Sequence, residues 1–449
     1  MRGSVLCAVV IAAIPLAAAP DFAPLEKYAR EQLTATGTPG IAIAVVVEGK
    51  IAYLKGIGTA NIETGAGVTP DLLFRLGSTS KMFTAAALAV AADQGKLDLN
   101  APVGKYVSGL APKIAATTCH QLLSHTAGLR DLGPVYGRYD DDQLGKRVRA
   151  LKDSDQIAEP GAVFSYSSPG YWLAGVVLEA VTGKSFADAV YELVLKPAGM
   201  TRSTFRPLLA MTYPFAMGHA PGGDGKPVVQ RPFADDSSTW PGGSLFSSAE
   251  ELARFATAFM NGERMGDTQV LPRRVIELLG APHASVPGGD SHYGYGLMVD
   301  QVGGVRILSH GGARAGYGST IMMAPERKFA AIVLANRSMT TMGQVADKAM
   351  EVVLGLKEPE AVKPATIAMT AAEAQLYAGR FTDSEQTIEV LANGAGLTVK
   401  SPDGDGPAVK VGDGRFRMTG GPGMEFLLLK DKAGRYAYLY TDLHVFRRL

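Results

Sequence analysis

The chain has 449 residues, 47% hydrophobic and 19% charged, enough for a large core in two or three domains. Its 44 Lys and Arg balance 43 Asp and Glu, which leaves no basic excess for nucleic acid and no charged tail for a partner surface. The seven histidines show no ligand spacing and no glycine loop has a phosphate-binding pattern, so neither a metal nor a nucleotide cofactor is expected.

Residues 1–19 read as a cleaved signal peptide. Met1-Arg2 supplies the positive end, Val5 to Leu16 an apolar run shorter than the ~20 residues of a membrane span, and Ala17-Ala18-Ala19 a small-residue cleavage site. The mature protein is therefore expected to be secreted or periplasmic, without a membrane span. Cleavage removes Cys7, so Cys119 remains alone and is read as a small buried hydrophobe rather than half of a bridge.

Ile41 to Val47 is a β-branched run, turned at Glu48-Gly49-Lys50 and returned along Ile51 to Leu54. Ser78-Thr79-Ser80-Lys81 then opens a helix whose next residues, Met82 to Ala92, are apolar on every side up to Gly95. A spacing of three sets Ser78 and Lys81 on one face. A helix apolar all round belongs in the interior, so Lys81 must be desolvated, and desolvation lowers an amine's pKa toward the range of a base. A neutral Lys81 could take the seryl proton and make Ser78 a nucleophile. Chance Ser-x-x-Lys on solvated helices is common, and the buried helix is what favours the chemistry here.

Residues 100–240 are rich in Gly, Pro and short helical patterns, with an apolar helix from Tyr171 to Val181 stopped by Gly183. Ser247-Ser248-Ala249-Glu250 caps a helix running through Phe259. Strands follow at 293–299, 305–309, 318–323 and 329–334, and a helix at 342–354. Both ends of this domain, 20–356, supply strands and its middle supplies helices. The expected fold is α/β (α+β): an antiparallel sheet flanked by helices, with a helical insertion. Residues 357–369, with Pro359 and Pro364, read as a linker. In 370–449, Thr370 to Glu373 caps a short helix. Seven short strands follow, at 387–391, 397–400, 408–411, 415–418, 424–430, 436–440 and 445–448. With turn signals at Asn393-Gly394 and Asp413-Gly414 they predict a small antiparallel β-barrel.

Three segments occur in a particular order: Ser78-x-x-Lys81, Tyr166-Ser167-Ser168, and His310-Gly311-Gly312. Gln121 to Leu129 and Pro241 to Ser248 lie between them. Over roughly residues 22–355 this combination resembles the penicillin-recognising serine hydrolases of the class C β-lactamase, D-alanyl-D-alanine carboxypeptidase and esterase type. The C-terminal region resembles the lipocalin-like domain that many of these carry, which would pack on or partly cover the active site. The resemblance implies a β-lactamase/transpeptidase-like fold and an acyl-serine on Ser78. Lys81 and Tyr166 would share the proton transfers, with Tyr166 the shuttle to the leaving group as a phenolate held by neighbouring ammonium. The amides of Ser78 and Ala313 would form the oxyanion hole, and Ser168, His310, Gly311 and Gly312 would contribute to substrate binding. His125 would belong to a structural loop.

Two positions depart from the family pattern. His310-Gly311-Gly312 stands where Lys-Thr-Gly is frequent, which removes a hydroxyl and exchanges a fixed charge for a titratable one. Ser168 stands where asparagine is usual and reaches less far. Both weaken the case for a β-lactamase or a strict D-alanyl peptidase and fit an esterase or a less selective amidase better. The expected function is a serine hydrolase, an esterase or a D-amino-acid peptidase or carboxypeptidase, acting on small ester, amide or peptide substrates. The alternative is a penicillin-binding sensor or weak β-lactamase that acylates and turns over slowly. Arg314 is read as a solvated side chain, with a substrate carboxylate anchor as the alternative. Whether Lys81 or Tyr166 is the base stays open, and nothing in the sequence sets an oligomeric state.

Overall fold

The computed structural model describes residues 20–133, 136–138, 140–233, 235–262, 264–265, 268–338, 340, 342–357, 359, 364–419 and 424–449. The signal segment 1–19, including Cys7, and part of the 357–369 linker lie outside the described residues.

The N-terminal region is built on β1 (Gly40–Val47) and β2 (Lys50–Asn61), joined by a two-residue turn in which Glu48 and Gly49 have φ of 52° and 74°. Two left-handed residues suit the twist of a tight hairpin. The chain returns to the same sheet much later as β3 (Met298–Val302), β4 (Val305–Arg314), β5 (Tyr317–Ala324) and β6 (Phe329–Ala335). The sheet is antiparallel in the order Ala284–Ser285, His292–Tyr293, β3, β4, β5, β6, β1, β2, Ala66–Gly67. The run expected as one strand over 293–299 is two pieces instead. Gly296 sits between them with φ of 73°, and a Cβ there would press on the Met82 backbone at 2.6 Å.

Strand β1 is buried along nearly its whole length because both faces of the sheet are covered. Ile41, Ile43 and Val45 face the core shared with α1 (Ala23–Thr36) and Val345 to Met350. Ala42, Ala44 and Val46 face the larger core, which includes α2 (Lys81–Asp93), α3 (Ser168–Thr182) and α4 (Ala249–Asn261). A period of two on one strand thus feeds two hydrophobic layers. Every residue of α2 from Lys81 to Ala91 is buried, as its uniform apolarity predicts. Cys119 is buried in the same core.

A helix, α5 (Gly343–Leu354), ends this domain, and a capping box at Thr370 opens α6 (Ala371–Tyr377). Eight antiparallel strands follow as a closed barrel: β7 (Gly379–Thr382), β8 (Thr387–Asn393), β9 (Gly396–Lys400), β10 (Gly406–Gly412), β11 (Arg415–Met418), β12 (Glu425–Lys430), β13 (Tyr436–Thr441) and β14 (His444–Arg448). Phe381, Phe416, Phe426 and Leu439 pack together in its core with Tyr377 of α6. A second seam of Tyr440, Val445 and Leu427 packs against Phe164, Ile157 and Tyr293 of the first domain. The barrel is docked on the face that carries Tyr166. Among the described residues no helix is long and apolar enough to cross a membrane.

Candidate active site

Gly77–Ser80 forms a 3-10 turn that runs directly into α2, so Ser78 precedes the α-helix instead of opening it. The tighter turn keeps residues three apart in line, and Lys81 Nζ lies 3.3 Å from Ser78 Oγ. Glycine is required twice beside it. Gly77 has φ of 58°, and a Cβ there would meet the Ala313 amide nitrogen at 2.5 Å. A Cβ on Gly312 would run into the Leu76 carbonyl and stand 2.9 Å from the Ser78 amide nitrogen. Without side chains at these points, β4 lies against the Ser78 turn and brings the Ala313 amide alongside that of Ser78.

Lys81 is fully buried, and its Nζ donates to the Gly242 carbonyl at 2.7 Å. Burial pulls its pKa from 10.5 down to about 7, with Asp131 opposing the fall and Arg314 reinforcing it. Tyr166 hydrogen-bonds Ser78 through its hydroxyl, and enclosure of that hydroxyl pushes its pKa well above 10. It is a neutral phenol near pH 7. The phenolate expected from the sequence is not what this environment supports, because desolvation outweighs the hydrogen bond. Its ring lies 4.2 Å from the ring of His125 and 4.7 Å from Lys81 Nζ.

His125 is buried with φ of 57°, and its Nδ1 accepts the Ser167 N–H at 3.0 Å, fixing the entrance to α3. The structural loop therefore orders the Tyr166 segment directly. His310 is also buried. Its Nδ1 donates to the Gly311 carbonyl at 2.5 Å and its Nε2 accepts from the Tyr293 hydroxyl at 2.9 Å. Burial and then the neighbouring Lys81 depress its pKa to about 4. The expected titratable charge is absent at neutral pH, and His310 is a neutral residue of β4 that ties the strand to Tyr293.

The cleft over Ser78 has a volume of about 370 Å³. Ser168, Ala313 and Arg314 line it with Ser78, whereas His310, Gly311 and Gly312 do not. Sequence reasoning missed Asp131, whose Oδ1 accepts the Ser168 N–H at 2.6 Å at the start of α3. Its one signal was its place two residues beyond the Gln121–Leu129 segment. The Arg314 expectation also changes. The side chain is folded into the cleft wall, Nη2 donates to Thr239 Oγ1 at 2.8 Å, and the buried Nε has no hydrogen-bond partner. Burial lowers its pKa, the mark of a guanidinium short of water.

The barrel reaches the same place. The turn between β13 and β14 puts the Leu443 carbonyl 2.8 Å from the Tyr166 amide nitrogen, and His444 Nδ1 lies 3.0 Å from the Tyr166 carbonyl oxygen. The Val445 N–H donates to Ser165 Oγ at 3.2 Å.

Comparison with known proteins agrees with this architecture. Residues 25–355 match the Beta-lactamase family. The chain is 31% identical over 340 residues to Penicillin-binding protein 4 of Amycolatopsis lactamdurans, covering 73% of this chain and 88% of that one. The octameric penicillin-binding protein homologue from Pyrococcus abyssi aligns with a TM-score of 0.67 at 25% identity, over 95% of this chain and 99% of that one. SurE with D-Leu aligns with a TM-score of 0.76 at 24% identity, over 95% and 98% of the two chains. The chain belongs to the Beta-lactamase family of serine hydrolases and carries a C-terminal eight-stranded barrel behind that domain.

Proposed function

We propose that the protein is an exported hydrolase that cleaves small esters or amides through an acyl-Ser78 intermediate, with Lys81 as general base and Tyr166 as proton carrier to the leaving group. The observation that carries this reading is a fully buried lysine, its pKa near 7, 3.3 Å from a serine hydroxyl at the floor of a cleft. Ser78 Oγ attacks the carbonyl carbon and its proton passes to Lys81 Nζ. The oxyanion faces the amides of Ser78 and Ala313. When the tetrahedral adduct collapses, Tyr166 gives its proton to the departing oxygen or nitrogen and recovers one from the Lys81 ammonium. Water then attacks the acyl carbon by the same relay in reverse, releasing the acid and restoring Ser78.

The signal-like residues 1–19 support export. Arg314, with an unpartnered Nε in the cleft wall, favours a substrate that bears a carboxylate, such as a peptide with a free C-terminus. The complex of SurE with D-Leu is compatible with this carboxypeptidase-like form of the reaction. Turnover of a p-nitrophenyl ester, measured beside labelling by a fluorescent penicillin, tests the scheme. Ser78→Ala is expected to lose several powers of ten in turnover with its melting temperature unchanged, because one oxygen at a cleft surface carries little stability. Residual activity above about a tenth of wild type removes Ser78 from the nucleophile's role. Stoichiometric labelling with no ester turnover would select the slow acyl-enzyme alternative.

A further inference from the structure

Tyr166 stands in a short extended segment whose backbone bonds alternate between two domains. The N–H groups on either side, of Ser165 and Ser167, go to the His125 carbonyl at 2.9 Å and to His125 Nδ1 at 3.0 Å, inside the first domain. The N–H and C=O of Tyr166 itself point the other way. The first donates to the Leu443 carbonyl and the second accepts from His444 Nδ1. The rings of Tyr166 and His444 also meet edge to face, 6.1 Å apart.

The turn that makes these contacts is held in an unfavourable shape. Asp442 and Leu443 have φ of 46° and 69°, both left-handed. Such turns suit Asp-Gly, and a leucine in the second place is strained because its Cβ crowds the backbone there. The Leu443 side chain is 37% exposed, so its own packing does little to compensate. What the turn does achieve is delivery of one carbonyl and one imidazole to Tyr166. Strain kept at a contact with a reacting residue points to function there.

We infer that the β13–β14 turn is a working part of the active site: Leu443 and His444 are positioning residues that set the Tyr166 hydroxyl over Ser78, so that proton delivery requires the docked barrel. The inference rests on the reading of Tyr166 as proton carrier. A phenol at the end of a long side chain magnifies small backbone rotations, and a displacement of about 1 Å from reacting geometry can cost about 100-fold in rate.

The test uses the full-length protein and four variants: His444→Ala, His444→Asn, Tyr166→Phe, and His444→Ala combined with Tyr166→Phe. Asparagine keeps an N–H close to the place of Nδ1. For a p-nitrophenyl ester, His444→Ala should lower kcat about 10- to 100-fold with KM within about twofold. His444→Asn should recover most of that loss. In the Tyr166→Phe background, His444→Ala should cost less than about threefold, because the two act through one hydroxyl. Should His444→Ala not fold, His444→Leu keeps the bulk, lacks the donor and takes its place. Equal losses in the Ala and Asn variants, or an undiminished loss in the Phe background, overturn the inference. So does a wild-type kcat in His444→Ala while Tyr166→Phe is inactive. A fully active Tyr166→Phe would instead remove the proton-carrier reading, and this inference with it.

Discussion

Replacing Lys81 by methionine should abolish turnover and yet stabilise the protein at neutral pH. The fall of its pKa from 10.5 to about 7 corresponds to about 5 kcal/mol between the two protonation states, at roughly 1.4 kcal/mol per pH unit. The unfolded chain binds a proton on this side chain up to pH 10.5, whereas the folded protein gives it up near 7. Native stability on this account therefore rises with pH between those limits and is flat below them. At pH 7 the lysine costs about 4 kcal/mol, because the folded state is then half protonated. Methionine fills a similar volume without that cost but leaves the Gly242 carbonyl without its donor, a loss of about 1–3 kcal/mol. The net gain at pH 7 is about 2 kcal/mol, and near pH 10.5, where only the lost hydrogen bond remains, the sign reverses. Urea midpoints of wild type and variant, compared at the two pH values, read this directly. A difference independent of pH, or a variant less stable at both, would refute the argument that burial creates the base.

Two further outcomes follow from the same site. The kcat/KM for a neutral ester should rise with pH through about 7, as Lys81 loses its proton, and then stay level, because the Tyr166 pKa lies well above 10 and His310 titrates near 4. A falling limb below about pH 9 would show a Tyr166 far more acidic than its enclosure allows. Arg314→Gln should raise KM for a substrate with a free carboxylate about 10-fold or more, while changing the neutral ester less than about threefold. Parallel losses on both substrates would place Arg314 in a purely structural role.

Local pattern carried much of the fold. Helix α2 could be read because eleven residues in a row without a polar face leave it only the interior, and the β1–β2 turn because Glu48-Gly49 allows two left-handed residues. Strand β7 was missed, since Phe381 is its single fully enclosed residue and gives no alternation to detect. The strand drawn through 293–299 failed because Gly294 and Gly296 mark close approaches of other backbone, which a local reading takes for ordinary strand residues. Asp131 was invisible as a site residue, and Arg314 was read first as a solvated side chain, for a related reason. Their meaning comes from Ser168, Thr239 and Lys81, none of which is near them in sequence. The docking of the β13–β14 turn on Tyr166 joins residues 278 apart, as the His444 contact shows, and no strand pattern encodes such a meeting.

The electrostatic design of the site follows from its enclosure. Desolvation moves Lys81 and His310 down and Tyr166 up, so near neutral pH all three approach or occupy their uncharged forms. Groups pushed apart in this way sort themselves into roles: a lysine near 7 can accept the seryl proton, and a phenol far above 10 can hold a proton until a leaving group takes it. His310 is too weak a base to compete for that proton. Among the described residues the acidic and basic side chains that line the cleft are Asp131 and Arg314. Asp131 already acts on Lys81 and on the start of α3, whereas the Arg314 Nε is unpartnered. On the proposed scheme catalysis and selectivity are thereby separated: the neutral relay at Ser78 would serve acyl compounds generally, and the Arg314 guanidinium would favour those that bear a carboxylate.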